Sequence, residues 1–367
     1  MGNKKEMSTN GFTTLLAFCL NRGIPFYACR LPEEKIFRFG AQLSGEVVPF
    51  RGLDALQGQR GFVAVPFRET EECPALFIRE DIGFTGTPEP KIWEKLHACI
   101  PEKAGTVMPW RQGADRETYD RQVRRMIDLL QRQEVRKMVL ARRIALPAEG
   151  IALAPEWLAR LAAAYPCAFV FLFSVPGRTT WMGATPETFL RQAPAGARTM
   201  SLAGTRPAGT PGEWGNKEKE EQAIVTDYIA ALLAETGGWH TEGTLTRRAG
   251  QVEHLCTEFI RRETLSPAQA DDLRRKLHPT PAVCGFPAAA AMEWITRIEG
   301  DSRRYYAGYV GTVDGNAVFD WFVNLRSMEL FPREADLYVG GGITALSDPE
   351  KEWEETVLKS HTLLDIL

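Results

Sequence analysis

Tyr305-Tyr-Ala-Gly-Tyr-Val-Gly-Thr312 and Ala317-Val-Phe-Asp-Trp-Phe-Val-Asn-Leu325 flank an Asp314-Gly315 pair. On both sides aromatic and β-branched residues alternate with small or polar ones, the pattern of strands with one buried face. Asp-Gly between such runs signals a hairpin, because glycine accepts the positive φ a tight turn needs. The stretch predicts antiparallel pairing near the end of the chain. Working outward, Ala168-Phe-Val-Phe-Leu-Phe-Ser-Val175 is almost wholly apolar and β-prone, which predicts a central strand covered on both faces. Lys137-Met-Val-Leu-Ala-Arg-Arg-Ile-Ala-Leu146 predicts another strand. Gly61-Phe-Val-Ala-Val65 and Ala75-Leu-Phe-Ile78, with Gly and Pro between, predict strands and turns over residues 1–105.

Helical spacing interrupts these strands. Tyr119, Val123, Met126, Ile127 and Leu130 predict a helix over Asp115–Gln133 with one buried stripe. Lys217–Glu235 predicts a second, closed by Gly237-Gly238, with Val225, Ile229, Leu232 and Leu233 buried. Ser347-Asp-Pro-Glu350 reads as a capping box that starts a third helix running to the C-terminus. With no repeat or low-complexity tract, these elements imply one α+β body.

The chain has 367 residues, 44% of them hydrophobic, enough for one large or two ordinary cores. Its 44 basic and 47 acidic residues nearly cancel, which leaves no global field for nucleic acid or an anionic membrane. Seven cysteines without a C-x-x-C pair read as reduced thiols of a cytoplasmic protein. Five scattered histidines give zinc no support. The apolar run before Asn21-Arg22 is too short to span a bilayer and is followed by no small-residue cleavage site. Glu6 stands where a myristoylation signal needs Ser or Thr.

Two glutamate doublets carry the first hint of chemistry: Glu218-Lys-Glu-Glu221 and Glu352-Trp-Glu-Glu355. Residues three apart share a helix face, so each doublet aims two carboxylates at one spot. Brought together, the two faces would repel unless a hard cation such as Mg²⁺ lay between them. Alone, either doublet reads as solvated charge near a helix N-terminus. Lys359, four residues after Glu355, reads by default as its surface salt-bridge partner.

Leu277-His-Pro-Thr-Pro-Ala-Val-Cys-Gly285, Ser201-Leu-Ala-Gly-Thr-Arg-Pro207 and Gly183-Ala-Thr-Pro-Glu187 resemble the chorismate-binding enzymes. So do Lys217-Glu-Lys-Glu-Glu221, Tyr306-Ala-Gly-Tyr-Val-Gly311, and Gly340-Gly-Gly-Ile343 followed by Glu352–Lys359. The match runs from about residue 110 to the end and is loose before that. It implies a catalytic domain over 106–367 and, over 1–105, an N-terminal part of the same fold. The fold implied is two large, mostly antiparallel sheets packed together with helices outside. Glu221 and Glu355 correspond to direct Mg²⁺ ligands, with Glu218 and Glu352 assisting directly or through water. Arg326 and Lys359 match carboxylate-binding positions, helped by Tyr306 and the backbone of Gly340 and Gly342. Gly204, Thr205, His254 and Ala282 fall in the substrate-binding phrases. His278 between Leu277 and Pro279 reads as a fixed loop residue without a catalytic role.

The resemblance also narrows the reaction. Making isochorismate adds water at C2 of chorismate and expels the C4 hydroxyl, which needs a base on one side and an acid on the other. Lys137 matches the base of the water-using members and Glu187 the general acid. Ammonia-using members resembling anthranilate synthase carry Gln at position 137, so no amidotransferase subunit is expected. Ala203 stands where some aminodeoxychorismate synthases hold a covalent lysine. Ala282 stands where members that eliminate pyruvate tend to have Thr. The implied activity is isochorismate synthase, feeding menaquinone or siderophore synthesis. Salicylate synthase is the next reading, then an amidotransferase-dependent enzyme, then a chorismate-binding protein without turnover. The resemblance favours a monomer. Gln222 and Gly341 with Thr344 depart from the commoner family residues, beside rather than at the proposed catalytic groups.

Overall fold

The structure, a computed structural model, describes residues 3–56, 58–99, 113–315 and 317–367, with side chains from residue 11 onward. The boundary expected at 105/106 and the Glu6 side chain lie outside the described residues. Helix α1 (Asn3–Arg22) is followed by β1 (Phe26–Arg30), β2 (Arg38–Ala41), β3 (Val48–Pro49), β4 (Gly61–Val65), β5 (Leu76–Arg79) and β6 (Ile82–Thr85). Then come α2 (Pro90–Ala98), α3 (Arg116–Gln131), β7 (Lys137–Pro147) and α4 (Gly150–Ala164). Four strands follow: β8 (Phe169–Val175), β9 (Thr179–Thr185), β10 (Thr188–Ala193) and β11 (Gly196–Pro207). Helix α5 (Asn216–Thr236) leads to β12 (Trp239–Ala249) and β13 (Val252–Arg261), then α6 (Pro267–Leu277), β14 (Gly285–Phe286) and α7 (Ala288–Glu299). The last elements are β15 (Tyr309–Asp314), β16 (Val318–Val323), β17 (Ser327–Leu330), β18 (Glu334–Ile343) and α8 (Pro349–Leu364).

The strands form two nine-stranded sheets, ordered β14-β7-β18-β17-β9-β8-β1-β2-β6 and β12-β13-β11-β10-β16-β15-β4-β5-β3. Every pairing between described strands is antiparallel. Strands β1, β2 and β6 extend one sheet, and β3, β4 and β5 extend the other.

Strand β8 shows why its sequence is apolar throughout. Phe169, Phe171 and Phe173 enter the core between the sheets. Val170 and Leu172 enter a second core, under the helices, with Leu15, Leu16 and Cys19 of α1 and Trp157, Leu158 and Leu161 of α4. Period-two alternation places both sets on one strand. Truncating a buried ring of this kind to alanine costs about 3–5 kcal/mol.

Three local expectations change. The hairpin's closing pair is Asp314↔Val318, so Asp314 belongs to the strand and the loop is residues 315–317 rather than a two-residue Asp-Gly turn. Ala317 supplies the left-handed residue, with φ 58°, as three-residue loops require. Helix α8 is capped by Asp348, whose side chain accepts from the N–H groups of Glu350 and Lys351. Ser347 instead accepts from Thr344 N–H, so the capping box is not formed. The described part of residues 1–105 also contains two α-helices not foreseen there, α1 and α2; Phe12, Leu15, Leu16 and Cys19 of α1 have helical spacing and are buried. Among the described residues no helix is long and apolar enough to cross a membrane. All seven cysteines are free thiols.

Candidate active site

A slot opens in the first sheet because one strand stops early. β17 pairs with β18 only as far as Ser327↔Tyr338. The residue before it, Arg326, turns the chain away with a left-handed φ of 48°. A non-glycine residue held there costs of order 1–3 kcal/mol, which the surroundings must offset. Past Tyr338, β18 continues through Gly340 and Gly342 with β7 as its only strand partner. On the opened side lies a small cavity, of about 60 Å³, whose polar lining includes Glu187, Thr205, Glu221, His254, Arg326 and Lys359. Ala282, Tyr306, Gly340 and Gly342 line it too, beside an apolar wall of Leu202, Leu325, Tyr338 and Val339.

The two cations at this wall are aimed by neighbours. Arg326 donates to the Lys359 carbonyl at 3.2 Å and lies 3.2 Å from His254 Nε2. Arginine has only donors, so Nε2 accepts and the ring proton sits on Nδ1. Nδ1 then donates to the Gly204 carbonyl at 3.2 Å, at a bulge in β11 where Gly204 has φ 62°. Burial, reinforced by the Arg326 charge, pushes His254 down to about 3, so the ring is neutral near pH 7. Lys359 donates to the Gly340 carbonyl at 2.9 Å and to Glu355 at 2.5 Å. It is therefore both the partner of Glu355 and part of the cavity wall.

Glu187, at the corner between β9 and β10, is only 2% exposed. Burial pushes its carboxyl up to about 8 against the pull of Lys137 and Lys359, so it holds a proton at neutral pH. Lys137 is fully buried at the start of β7, its Nζ 3.1 Å from Glu221 Oε1. The pair lies within ion-pair distance, but Nζ makes no aligned hydrogen bond. Tyr306 is pushed up to about 12 by burial and keeps its hydroxyl proton.

Three of the four doublet carboxylates come to Gly341-Gly342, Glu352 and Glu355 on the face of β18 that a Gly341 side chain would take and Glu221 on the face that a Gly342 side chain would take. A Cβ added to Gly341 would stand 3.3 Å from both Glu352 Oε2 and Glu355 Oε1, and one on Gly342 would lie 2.0 Å from Glu221 Oε1. A side chain at Gly342 would have to displace the Glu221 carboxylate, and one at Gly341 would crowd the other two. Glu218 does not join them; its carboxylate turns back to Gly215 at the start of α5. Among the described residues no three acidic, His or Cys side chains are already set around one point as metal ligands. Each gathered carboxylate is instead engaged by a lysine: Glu221 by Lys137, Glu352 by Lys217 at 2.5 Å, and Glu355 by Lys359. Burial opposes the Lys217 ammonium, but Glu352, Glu355 and Glu221 outweigh it and hold its pKa above the ordinary lysine value. Burial and then the Glu355 charge raise Glu352. Glu352 Oε2 is buried without a hydrogen-bond partner. An all-oxygen anionic donor set with one oxygen left over suits a hard divalent cation.

Lys217 had no role in the sequence reading, although it lies in the quoted phrase one helical turn before Glu221. Its part depends on α8 delivering Glu352 to α5, which no local pattern announces. Leu202, Leu325 and Tyr338 were missed because apolar wall residues look like core.

Residues 91–367 match the chorismate binding enzyme family. The chain belongs to that family. MenF of Mycobacterium tuberculosis (strain H37Rv) is 35% identical over 252 residues, covering 63% of this chain and 67% of its own length. The isochorismate synthase EntC of Escherichia coli (strain K12) is 29% identical over 264 residues, covering 69% of this chain and 67% of its own. Among solved structures, MenF, the menaquinone-specific isochorismate synthase of Escherichia coli, superposes with a TM-score of 0.77 at 21% identity, covering 96% of this chain and 91% of its own. The two-sheet fold implied by the sequence phrases is thus the fold of this chorismate-binding enzyme.

Proposed function

We propose that this chorismate-binding enzyme is an isochorismate synthase that works without an amidotransferase. The observation that carries the reading is Glu187, a buried carboxyl that keeps its proton at neutral pH in the same cavity as two carboxylate-binding cations. Arg326 and Lys359 hold the enolpyruvyl carboxylate, with the Gly340 and Gly342 N–H groups alongside. Lys137 takes a proton from the attacking water as its oxygen bonds to C2. Glu187 gives its proton to the C4 hydroxyl, which leaves as water, so one water enters and one departs. Ala203 has no nucleophilic atom, and Ala282 offers no hydroxyl to a second step.

Glu221 and Glu355, with Glu352 directly and Glu218 through water, are the residues that would hold Mg²⁺. Bound there, the ion supplies positive charge to the ring carboxylate of chorismate. Glu355→Gln is expected to weaken Mg²⁺ and chorismate binding together, by about tenfold or more, because breaking a charge-assisted contact costs roughly 1.5–3 kcal/mol. Titration calorimetry of each ligand checks this. A change in thermal stability alone would reduce Glu355 to a structural partner of Lys359.

The seven free thiols support a reducing compartment, the cytoplasm. The reaction is tested by product NMR after incubation with chorismate and Mg²⁺, run beside a lactate-dehydrogenase assay for pyruvate. Isochorismate without pyruvate is expected. Stoichiometric pyruvate would make the chain a salicylate synthase, and an ammonium-dependent product would make it an aminating enzyme.

A further inference from the structure

Strand β7 carries Lys137 and needs partners on both edges. β18 serves one edge along its length, but on the other β14 is only two residues long, and main-chain pairing ends one residue past Met138, where Val139 N–H donates to the Cys284 carbonyl at 2.9 Å. Beyond it a side-chain pair takes over. Arg303 Nη2 donates to the Val139 carbonyl at 2.6 Å, and Glu299 Oε1 accepts the Ala141 N–H at 2.8 Å. The two are joined to each other: Arg303 Nε lies 2.9 Å from Glu299 Oε2, and Nη2 lies 2.5 Å from Oε1. Acid and base side chains thus continue the ladder where the neighbouring strand has ended, so these buried main-chain groups keep partners.

The same guanidinium grips a second wall of the cavity. Nη1 donates to the Val283 carbonyl at 2.8 Å, next to Ala282, and both residues line the cavity. The Arg303 carbonyl accepts from Tyr306 N–H at 2.9 Å, so a third lining residue hangs on it. Phe67 of the N-terminal third lies under the guanidinium, its ring centroid 4.3 Å from Cζ. Both side chains of the pair are almost fully buried, Arg303 at 3% and Glu299 at 7%. A planar fork with five donors can serve two carbonyls and a carboxylate at once, which a lysine ammonium cannot do with the same geometry.

We infer that Arg303 and Glu299 are positioning residues for the reaction. They set the register and tilt of the strand that carries Lys137, and the distance from Lys137 to the Ala282 wall. Phe67, through its contact with Arg303, makes the N-terminal third part of the same device. The inference rests on the isochorismate synthase reading for its kinetic consequence, but not for its geometric one.

Two conservative variants of the full chain, Glu299→Gln and Arg303→Lys, test it. A misplacement near 1 Å remote from the reacting atoms costs about 10²-fold in rate. Each variant is expected to lose rate on that scale in kcat, with Mg²⁺ affinity within about twofold, since α5 and α8 do not hang on the clasp, and with KM for chorismate, which also meets the Ala282 wall and Tyr306, rising by much less than kcat falls. The geometric arm needs no turnover. In lysine-labelled protein the Lys137 side-chain NMR signal, assigned through Lys137→Met, is expected to shift in both variants while Lys217 and Lys359 stay in place. An unmoved Lys137 signal overturns the inference, as does a rise in KM with kcat unchanged. If all three lysine signals move together, the pair merely supports the fold and the inference fails too. A wild-type chain that makes no isochorismate while the Lys137 signal still shifts selectively would refute the functional reading and leave the clasp standing.

Discussion

Lys137→Ala is expected to lower kcat by about 10²–10⁴-fold, the usual worth of a positioned general base, while Mg²⁺-dependent binding of chorismate persists. The reasoning separates two sets of groups. On the proposed reading chorismate is held by Arg326, Lys359 and the β18 backbone, which line the cavity, whereas Lys137 is paired with Glu221. On that reading the attacking water depends on Lys137 as its base. Removal of Lys137 also strips Glu221 of the side-chain nitrogen 3.1 Å away. Breaking a buried pair from one side destabilises by about 3–5 kcal/mol, so circular dichroism and a thermal melt accompany the kinetics. Added Mg²⁺ should restore part of the lost melting temperature, because a cation at Glu221 replaces the missing charge. Steady-state rates by product NMR and chorismate binding by calorimetry check both halves. Wild-type turnover in a folded variant would refute the base assignment.

Glu187→Gln is expected to cost a comparable factor, about 10²–10⁴ in kcat, because the amide cannot give a proton to the departing hydroxyl. Its pH behaviour is the sharper signature. Burial pushes Glu187 up to about 8, so the wild-type enzyme should lose activity as pH rises through that value and the acid ionises. The residual activity of the variant should lack this alkaline limb. Stability moves in step. Between the ordinary glutamate range and about 8 the folded protein holds a proton the unfolded chain has lost, so stability falls as pH rises across that window. Glutamine removes this dependence. The melting temperature of the variant should therefore gain on wild type with rising pH and level off above about 8. A wild-type rate profile flat through that window, together with parallel melting curves, would remove Glu187 from the role of acid.

Much of the fold was legible because it is written in local periodicities. The phenylalanines of β8 alternate between two cores, and only a strand sandwiched between a sheet and helices asks for that pattern. The stripe of α5 and its glycine stop appear within a residue of their predicted ends. Turn details were less legible: Asp-Gly suits a two-residue turn, yet pairing of Asp314 with Val318 moved the loop by one residue. At the start of α8, Asp348 outcompeted Ser347 for the cap. Caps and turns are settled by differences of about 1 kcal/mol, which packing overrides.

For the site, residue types and spacing by themselves pointed only to the two glutamate doublets; the acid, the base and the carboxylate-binding cations were proposed from the resemblance of contiguous phrases to the chorismate-binding enzymes. Side-chain chemistry is a local property, and the phrases that carry it are contiguous. What the tertiary structure alone decided is who stands beside whom. It placed Glu352 with Glu221 and Glu355 while turning Glu218 away, put a lysine on each gathered carboxylate, made His254 a neutral prop for Arg326, and ran Arg303 and Glu299 along the open edge of the strand that carries Lys137. Those facts depend on burial and on contacts between segments many tens of residues apart. Electrostatic energies in a low-dielectric interior are set by such distances rather than by spacing along the chain.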